Sequence, residues 1–491
     1  MLEGFFSFRG RSRILHLTWF AFFLTFVAWF SFAPFATTVA KELHLAPVQL
    51  KVLAICNIAL TIPARIVVGM VLDRFGPRRT FAGLLVFAAL PCLATALSQN
   101  FEHLVYSRLL MGMVGAGFVV GIRMIAEWFP PKEMGTAEGI YGGWGNFGAF
   151  GAEFCLPLVA VATVGLSGGV PNWRLAIALI GLVCAGYGWI YFRLAQDTPA
   201  GVTYRKPKKN GAMEVTSERS FYAMSLWNLG LTLALCLLVW RLGHPPIKVL
   251  GPTQMWVFWG LALGLYAFQS YRAYQVNRDV VLGHHSYAPT ERYEYRQVGL
   301  LNLAYFVSFG SELAVVSMLP AFFEHTFHLS HVSASLLAAA YPFLNLVSRP
   351  SGGWLADRFK SRKWTLILIT AGIGVSYLFA AGINSHWSVP IATAIVLAAA
   401  YFAQAGCGAT FAIAPLIKPE VTGQIAGSVG AYGNVGGVVY LTIFSFTGPE
   451  MLFESMGLLA LISASLCAFF LKEPQVGHAP VLQVAASASR M

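Results

Sequence analysis

Charge is what this 491-residue chain has least of: Asp, Glu, Lys and Arg make up 11% of it, where a soluble globular domain carries roughly 25%. So little charge excludes an ordinary water-soluble enzyme or binding module. Cysteine is sparse as well. The seven cysteines all fall inside apolar runs and none forms a CxxC pair, so neither a disulfide framework nor a thiolate metal site has support. The remaining histidines and carboxylates form no metal, nucleotide or nucleophile constellation, which argues against an enzyme and calls for no cofactor. No cleavable signal peptide is evident. The first 13 residues are short and basic, and the apolar run behind them is long enough to cross a bilayer.

What the chain has in quantity is apolar surface: 57% of its residues are hydrophobic, and aromatics alone make up 14% of the chain. Runs of about 20 apolar residues recur throughout, the length a helix needs to span the hydrocarbon core. They predict an all-α polytopic membrane protein with spans near 14–40, 48–72, 79–98, 103–128, 137–165, 173–195, 221–240, 254–275, 297–322, 332–356, 363–383, 387–414, 422–447 and 450–471, fourteen in all. With the N-terminus inside, 24 Lys and Arg fall on the cytoplasmic side, five outside and four within spans. That bias orients the chain with both termini in the cytoplasm. It also explains the net charge of +12 without any nucleic-acid partner. Trp128, Trp173 and Trp387 sit near span ends, as an interfacial belt requires.

The chain repeats itself. A shift of 284 residues lays Arg65 on Arg349, Gly69 on Gly353, Asp73 on Asp357 and Arg74 on Arg358. A shift of 286 aligns the first span with the one that begins near Leu301. A shift of 288 lays Gly135, Gly139, Gly142, Gly145, Asn146 and Gly148 on Gly423, Gly427, Gly430, Gly433, Asn434 and Gly436. Three blocks at nearly constant offset indicate duplication. The organisation expected is a leader (1–13), a six-helix bundle (14–195), basic loops with two extra spans (196–296), a second six-helix bundle (297–472) and a cytoplasmic tail (473–491).

Two of the intramembrane arginines, Arg65 and Arg349, occupy matching places in the two halves. Each costs about 2.5–3.5 kcal/mol near the bilayer centre and cannot discard its proton. Their pairing suggests a shared anion site between the halves, the mark of a transporter.

The run GMVLDRFGPRR from Gly69 fits the G-x3-D-R-x-G-x-R-R pattern of the major facilitator superfamily; its second copy from Gly353 is degenerate. The charges of this motif (Asp73, Arg74, Asp357, Arg358) are expected to latch helix ends together. The glycine blocks place small residues on one helix face, so that helix backbones can approach closely. Packing alone would not require an asparagine at the same place in each block. The run EGIYGGWGNFGAFGAEF from Glu138 resembles the nitrate signature of the nitrate/nitrite porter family, the NarK/NrtP type, and most closely its NrtP branch. The resemblance covers residues 10 to 472. It implies two pseudo-symmetric six-helix bundles that import nitrate, and nitrite, by alternating access across the cytoplasmic membrane. It also implies substrate contacts at Arg65, Arg349, Tyr305, Phe309, Asn146 and Asn434, with Gly142, Gly145, Gly148, Gly430, Gly433 and Gly436 serving packing and gating.

Nitrate chemistry agrees with that set. The ion is planar, with three acceptor oxygens that suit the donor fork of a guanidinium, and aromatic rings can cover its faces. Moving an anion inward costs about 2.3 kcal/mol per 100 mV, so net uptake needs two or more protons or an exchanged anion. Glu312 lies seven residues after Tyr305, and Glu153 seven after Asn146. Helical spacing puts each on the same face as its neighbour, which makes them candidate proton carriers. Proton symport is the expectation; nitrate/nitrite exchange and a membrane nitrate sensor are the alternatives. Arg123 and Glu127, four apart, are expected to bond each other, and His16 to face headgroups. A monomer in the lipid bilayer is expected.

Overall fold

A computed structural model of the chain describes residues 3–474 except 167–170, 205, 208–211, 246–247, 249, 289–290, 330 and 360. Most of the expected tail, and Arg205, Lys208 and Lys209 of the basic loop, lie outside the described residues. Every regular element among those described is helical, as a bilayer demands of a chain that must satisfy its own backbone. The α-helices are α1 (Gly10–Phe30), α2 (Ala36–Glu42), α3 (Pro47–Ala59), α4 (Thr61–Phe75), α5 (Pro77–Ala96), α6 (Phe101–Val114), α7 (Gly117–Trp128), α8 (Met134–Asn146), α9 (Gly148–Ala162), α10 (Trp173–Leu194), α11 (Glu218–Gly243), α12 (Pro252–Val281), α13 (Tyr295–Phe327), α14 (His331–Phe343), α15 (Asn345–Arg358), α16 (Arg362–Ala381), α17 (Val389–Ile417), α18 (Thr422–Phe446) and α19 (Pro449–Phe470).

Twelve helical stretches among the described residues are long and apolar enough to cross a membrane, against fourteen expected. The two that fall short have physical reasons. The expected span at 332–356 is divided at Leu344 into α14 and α15. Pro342 and Pro350 stand inside these two helices, each removing a backbone donor from the helical ladder. The segment at 254–275 lies within α12, a 30-residue helix whose polar C-terminal half dilutes its apolar run. Trp256, Val257, Leu261 and Phe268 of α12 are exposed, while its other face packs on α11.

One break in the helices recurs with the sequence repeat, whereas α18 runs unbroken past Asn434, the counterpart of Asn146. α3 gives way to α4 at Leu60, five residues before Arg65, and α14 to α15 at Leu344, five residues before Arg349. α8 ends at Asn146, and α9 starts after Phe147. Glu153, seven residues on from Asn146, is exposed on α9, whereas Asn146 is buried.

Helices of the first half and of the second meet chiefly at two places, α4 against α18 and α8 against α15. Glycine makes both contacts close. A methyl group on Gly427 would stand 2.6 Å from the Arg65 carbonyl oxygen, and one on Gly139 would stand 2.6 Å from the Arg349 carbonyl oxygen. The glycine blocks thus grip the backbone at the two arginines themselves.

Candidate functional site

Arg65 and Arg349 reach the interior around one shared ring. The Arg65 guanidinium lies 5.3 Å from the centre of the Phe309 ring, and that of Arg349 lies 5.4 Å from it. Phe309 stacks on Tyr305 at 5.2 Å, and Tyr305 on Phe118 at 6.1 Å, with Phe411 set edge-on to both Tyr305 and Phe118 at 4.9 and 4.7 Å. Phe118 also stands under Arg65 at 5.6 Å. Each of these side chains is at most 2% exposed. Rings hold the cations by their electron-rich faces without neutralising them.

The two arginines differ in their partners. Arg349 is tied down: its Nη2 donates to Glu312 at 2.8 Å and its Nε to Asn345 Oδ1 at 2.7 Å, while Asn345 donates in turn to Glu312 at 2.7 Å. Arg65 donates Nη1 to the Gly430 carbonyl at 2.5 Å, its Nε has no partner, and no carboxylate among the described residues pairs with it. The site therefore holds one compensated and one uncompensated guanidinium. Burying a cation without its own counter-ion is costly and keeps it available to an anion.

The structure brings Arg65, Arg349, Tyr305, Phe309 and Glu312 together. Asn146 and Asn434 point their amides elsewhere: Asn146 Nδ2 donates to the Gly142 carbonyl at 2.6 Å and Asn434 Nδ2 to the Gly430 carbonyl at 3.5 Å, each one turn back on its own helix. The Asn434 carbonyl oxygen is left without a partner. Phe118 and Phe411 complete the aromatic wall and escape a reading of the sequence. The available signal is a small-residue stretch before each, GMVGAG from Gly112 ahead of Phe118 and AGCGAT from Ala405 ahead of Phe411.

Below this site, at the end expected to face the cytoplasm, the two aspartates of the repeated motif close the molecule. Asp73 accepts from the backbone N–H groups of Gly423 and Gln424, both at 3.0 Å, at the start of α18. Asp357 accepts from Gly135 at 3.0 Å and Thr136 at 2.6 Å, at the start of α8. Each carboxylate thus caps a helix N-terminus in the other half, where the unpaired donors and the helix dipole favour negative charge. The adjoining Arg74 and Arg358 are exposed and stand outside this latch. Their expected place is taken by Arg123, which bonds the Pro419 carbonyl and lies 4.0 Å from Asp73, and by Arg362, which bonds the Pro131 carbonyl and pairs with Asp357 at 2.6 Å. Arg123 also pairs with Glu127 at 2.8 Å, as expected. His16 differs from expectation: it is buried, accepts from Trp19 at 2.9 Å and stacks between Phe8 and Trp144.

The Major Facilitator Superfamily profile matches residues 18–277 and 301–487. The nitrate/nitrite transporter NrtP of Nostoc punctiforme (strain ATCC 29133 / PCC 73102) is 64% identical over 99% of this chain and 97% of its own. The chain belongs to the nitrate/nitrite porters of the NarK/NrtP type, within the major facilitator superfamily. A more distant member, the probable nitrate/nitrite antiporter NarK1 of Thermus thermophilus, is 28% identical over 92% of this chain and 90% of its own. The crystal structure of the E. coli fucose:proton symporter FucP superposes with a TM-score of 0.61 at 12% identity, covering 94% of this chain and 99% of that one, which establishes likeness of fold. This porter is accordingly a multi-pass membrane transporter and not an enzyme.

Proposed function

We propose that this porter imports nitrate, and nitrite, across the cytoplasmic membrane by alternating access around Arg65, Phe309 and Arg349. The observation that carries the reading is Arg65, a fully buried cation with an unbonded Nε and no carboxylate partner among the described residues, facing the same ring as Arg349. The names of the Nostoc and Thermus relatives support nitrate and nitrite as cargo. A bound nitrate takes the donors that Arg65 now spends on the Gly430 carbonyl, with Tyr305 and Phe309 walling its faces. Asn146 and Asn434 turn from their own helices to meet it.

The architecture proposed with this function is two six-helix bundles related by a pseudo-twofold axis, 14–195 and 297–472, with two further spans between them and both termini in the cytoplasm. α14 and α15 together make one span and α12 another, which completes fourteen in a monomer. The bundles rock about the site, and the caps at Asp73 and Asp357 break and re-form together. Nitrate also competes with Glu312 for Arg349, and the displaced carboxylate takes a proton that crosses with the anion. That makes the porter a symporter. Glu153, exposed on α9, contributes less to this reading than Glu312.

A second reading, nitrate/nitrite exchange, is favoured by one feature: Glu312 is bonded at both oxygens, to Arg349 and Asn345. Purified protein in vesicles separates the two. Uptake into empty vesicles that rises with an inward proton gradient, and is lost in an Arg65→Lys/Arg349→Lys protein, supports symport. Uptake that demands preloaded nitrite or nitrate supports exchange.

A further inference from the structure

Glu138 lies in the second turn of α8, 2% exposed, with neither carboxyl oxygen in a hydrogen bond. It is singular among the buried acids of the described residues: Asp73 and Asp357 cap helices, and Glu312 is tied to Arg349. Gly142, one turn above it (about 6 Å along the axis), faces Arg349, whose Nη1 would stand 3.6 Å from a methyl group there. Glu138 thus occupies the layer between the anion site and the cytoplasmic latch.

The surroundings offer an ionised carboxylate no support. The charged groups on the elements packed around α8 are either engaged elsewhere or exposed. On α15, Arg349 holds Glu312, Asp357 pairs with Arg362, and Arg358 is exposed. On α7, Arg123 pairs with Glu127. Ahead of α8, Glu133 pairs with Arg11 of α1. Also on α1, Arg13 is exposed, and His16 is bonded to Trp19 and stacked on Trp144 of α8 itself. α17 carries no charged residue, and Glu153 of α9 is exposed. On α8, Tyr141 donates to the backbone carbonyls of Gly117 and Phe118. The charge bound at the start of its own helix is another carboxylate, Asp357, held by Gly135 and Thr136. An isolated buried ion of this kind costs several kcal/mol.

We propose that Glu138 is a second proton-carrying group of this porter. It is protonated while the cytoplasmic latch is closed and gives its proton to cytoplasmic water when the latch opens. The inference rests on the symport reading above. Taking up the proton forms the carboxyl O–H bond from outside water; release breaks it and leaves a hydrated carboxylate. The charges of the site then account for the cycle. Empty, with the latch open and the proton of Glu138 released, Arg65, Arg349, Glu312 and Glu138 sum to zero. Loaded with one nitrate and a proton on each glutamate, they sum to one positive charge. The loaded step moves that charge inward, and a negative interior drives it by about 2.3 kcal/mol per 100 mV.

The test is nitrate uptake by wild type and Glu138→Gln in proteoliposomes, under a proton gradient alone and under an inside-negative potential of about 100 mV alone. Wild type is expected to speed up several-fold under either. The variant, with one proton left to carry, is expected to follow the proton gradient and lose its response to potential. A potential response retained in the variant overturns the proposal and leaves symport standing, as does a wild type that ignores potential but follows the proton gradient. A wild type that follows neither sinks the symport reading itself. If Glu138→Gln moves no nitrate even by exchange, Glu138→Asp must recover the potential response, and its failure to do so with nitrate binding intact also overturns the assignment.

Discussion

Replacing Gly427 by alanine should hold the cytoplasmic side of this porter open. The added methyl would stand 2.6 Å from the Arg65 carbonyl oxygen, whereas carbon–oxygen contacts begin near about 3.3 Å. The obstacle is backbone on both sides, so α4 and α18 must part by about 0.7 Å for the contact to become tolerable. Overpacking of this kind costs about 1–3 kcal/mol, and only the closed conformation suffers it. The closed-to-open ratio should therefore fall by roughly 5- to 150-fold. A cysteine at Ala412, fully buried beside Gly135, reports the change in a background free of the other cysteines. Its alkylation by an impermeant thiol reagent from the cytoplasmic face should accelerate by that factor. Ala412 belongs to the other contact, α8 with α15 and α17, so acceleration there also tests whether the halves move as rigid bodies. Gly83→Ala is the control, since nothing lies within 4 Å of the position its methyl would take. Unchanged labelling in Gly427→Ala, with the control equally unchanged, would refute the claim that glycine at this position is what lets the halves close.

Other consequences can be measured in the same system. Asp73→Asn weakens the cap on α18 and should favour the open form by about 1–2 kcal/mol; adding Asp357→Asn, which touches a separate helix start, should nearly add to it, read as the labelling rate at Ala412→Cys. Arg65→Lys keeps the charge but loses the planar donor fork, and nitrate affinity should fall by about 10- to 100-fold, the worth of one or two charge-assisted hydrogen bonds, in an equilibrium binding assay. Glu312→Ala strands Arg349 and should destabilise the fold by about 3–5 kcal/mol, seen as a lower thermal midpoint in detergent.

Much of this site is legible in the sequence because its chemistry is expensive. An arginine inside an apolar run announces itself, and its recurrence 284 residues on pairs Arg65 with Arg349 by sequence alone. Tyr305 and Phe309 are one helical turn apart and share a face. What spacing cannot give is the partner on another helix. It puts Glu312 on the correct face, yet the bond to Arg349 depends on how α13 meets α15. Nor can spacing tell that Glu153 ends exposed on α9 while Asn146, seven residues before it, is buried. Asn146 and Asn434 look like substrate donors in the sequence, but a buried amide without a ligand satisfies itself on its own helix. Glu138 carries no mark within its motif, since nothing in a sequence tells a partnered buried acid from an orphaned one. The span count differs for a related reason: α14 and α15 part at Leu344, a residue that carries no mark in the sequence.

The compensation of Arg349 by Glu312 yields one further expectation, which runs against intuition. Glu312→Gln removes a negative charge beside the anion site while keeping the shape, so nitrate should bind more tightly. The two guanidiniums flank Phe309 at 5.3 and 5.4 Å, hence at no more than about 11 Å from each other, and at an effective dielectric constant of about 20 they repel by about 1.5 kcal/mol or more. Glu312 offsets that repulsion in the empty carrier; glutamine does not. Nitrate then has two uncompensated cations to neutralise, and affinity should rise by about tenfold for 1.4 kcal/mol. The empty carrier, however, must return with both cations bare, and its return should slow by a similar factor. The variant should therefore show a lower KM for exchange together with a lower rate of net uptake. If both parameters worsen together, Glu312 acts chiefly by holding Arg349 in position; if net uptake is lost while KM stays unchanged, its proton and not its charge is what the cycle requires.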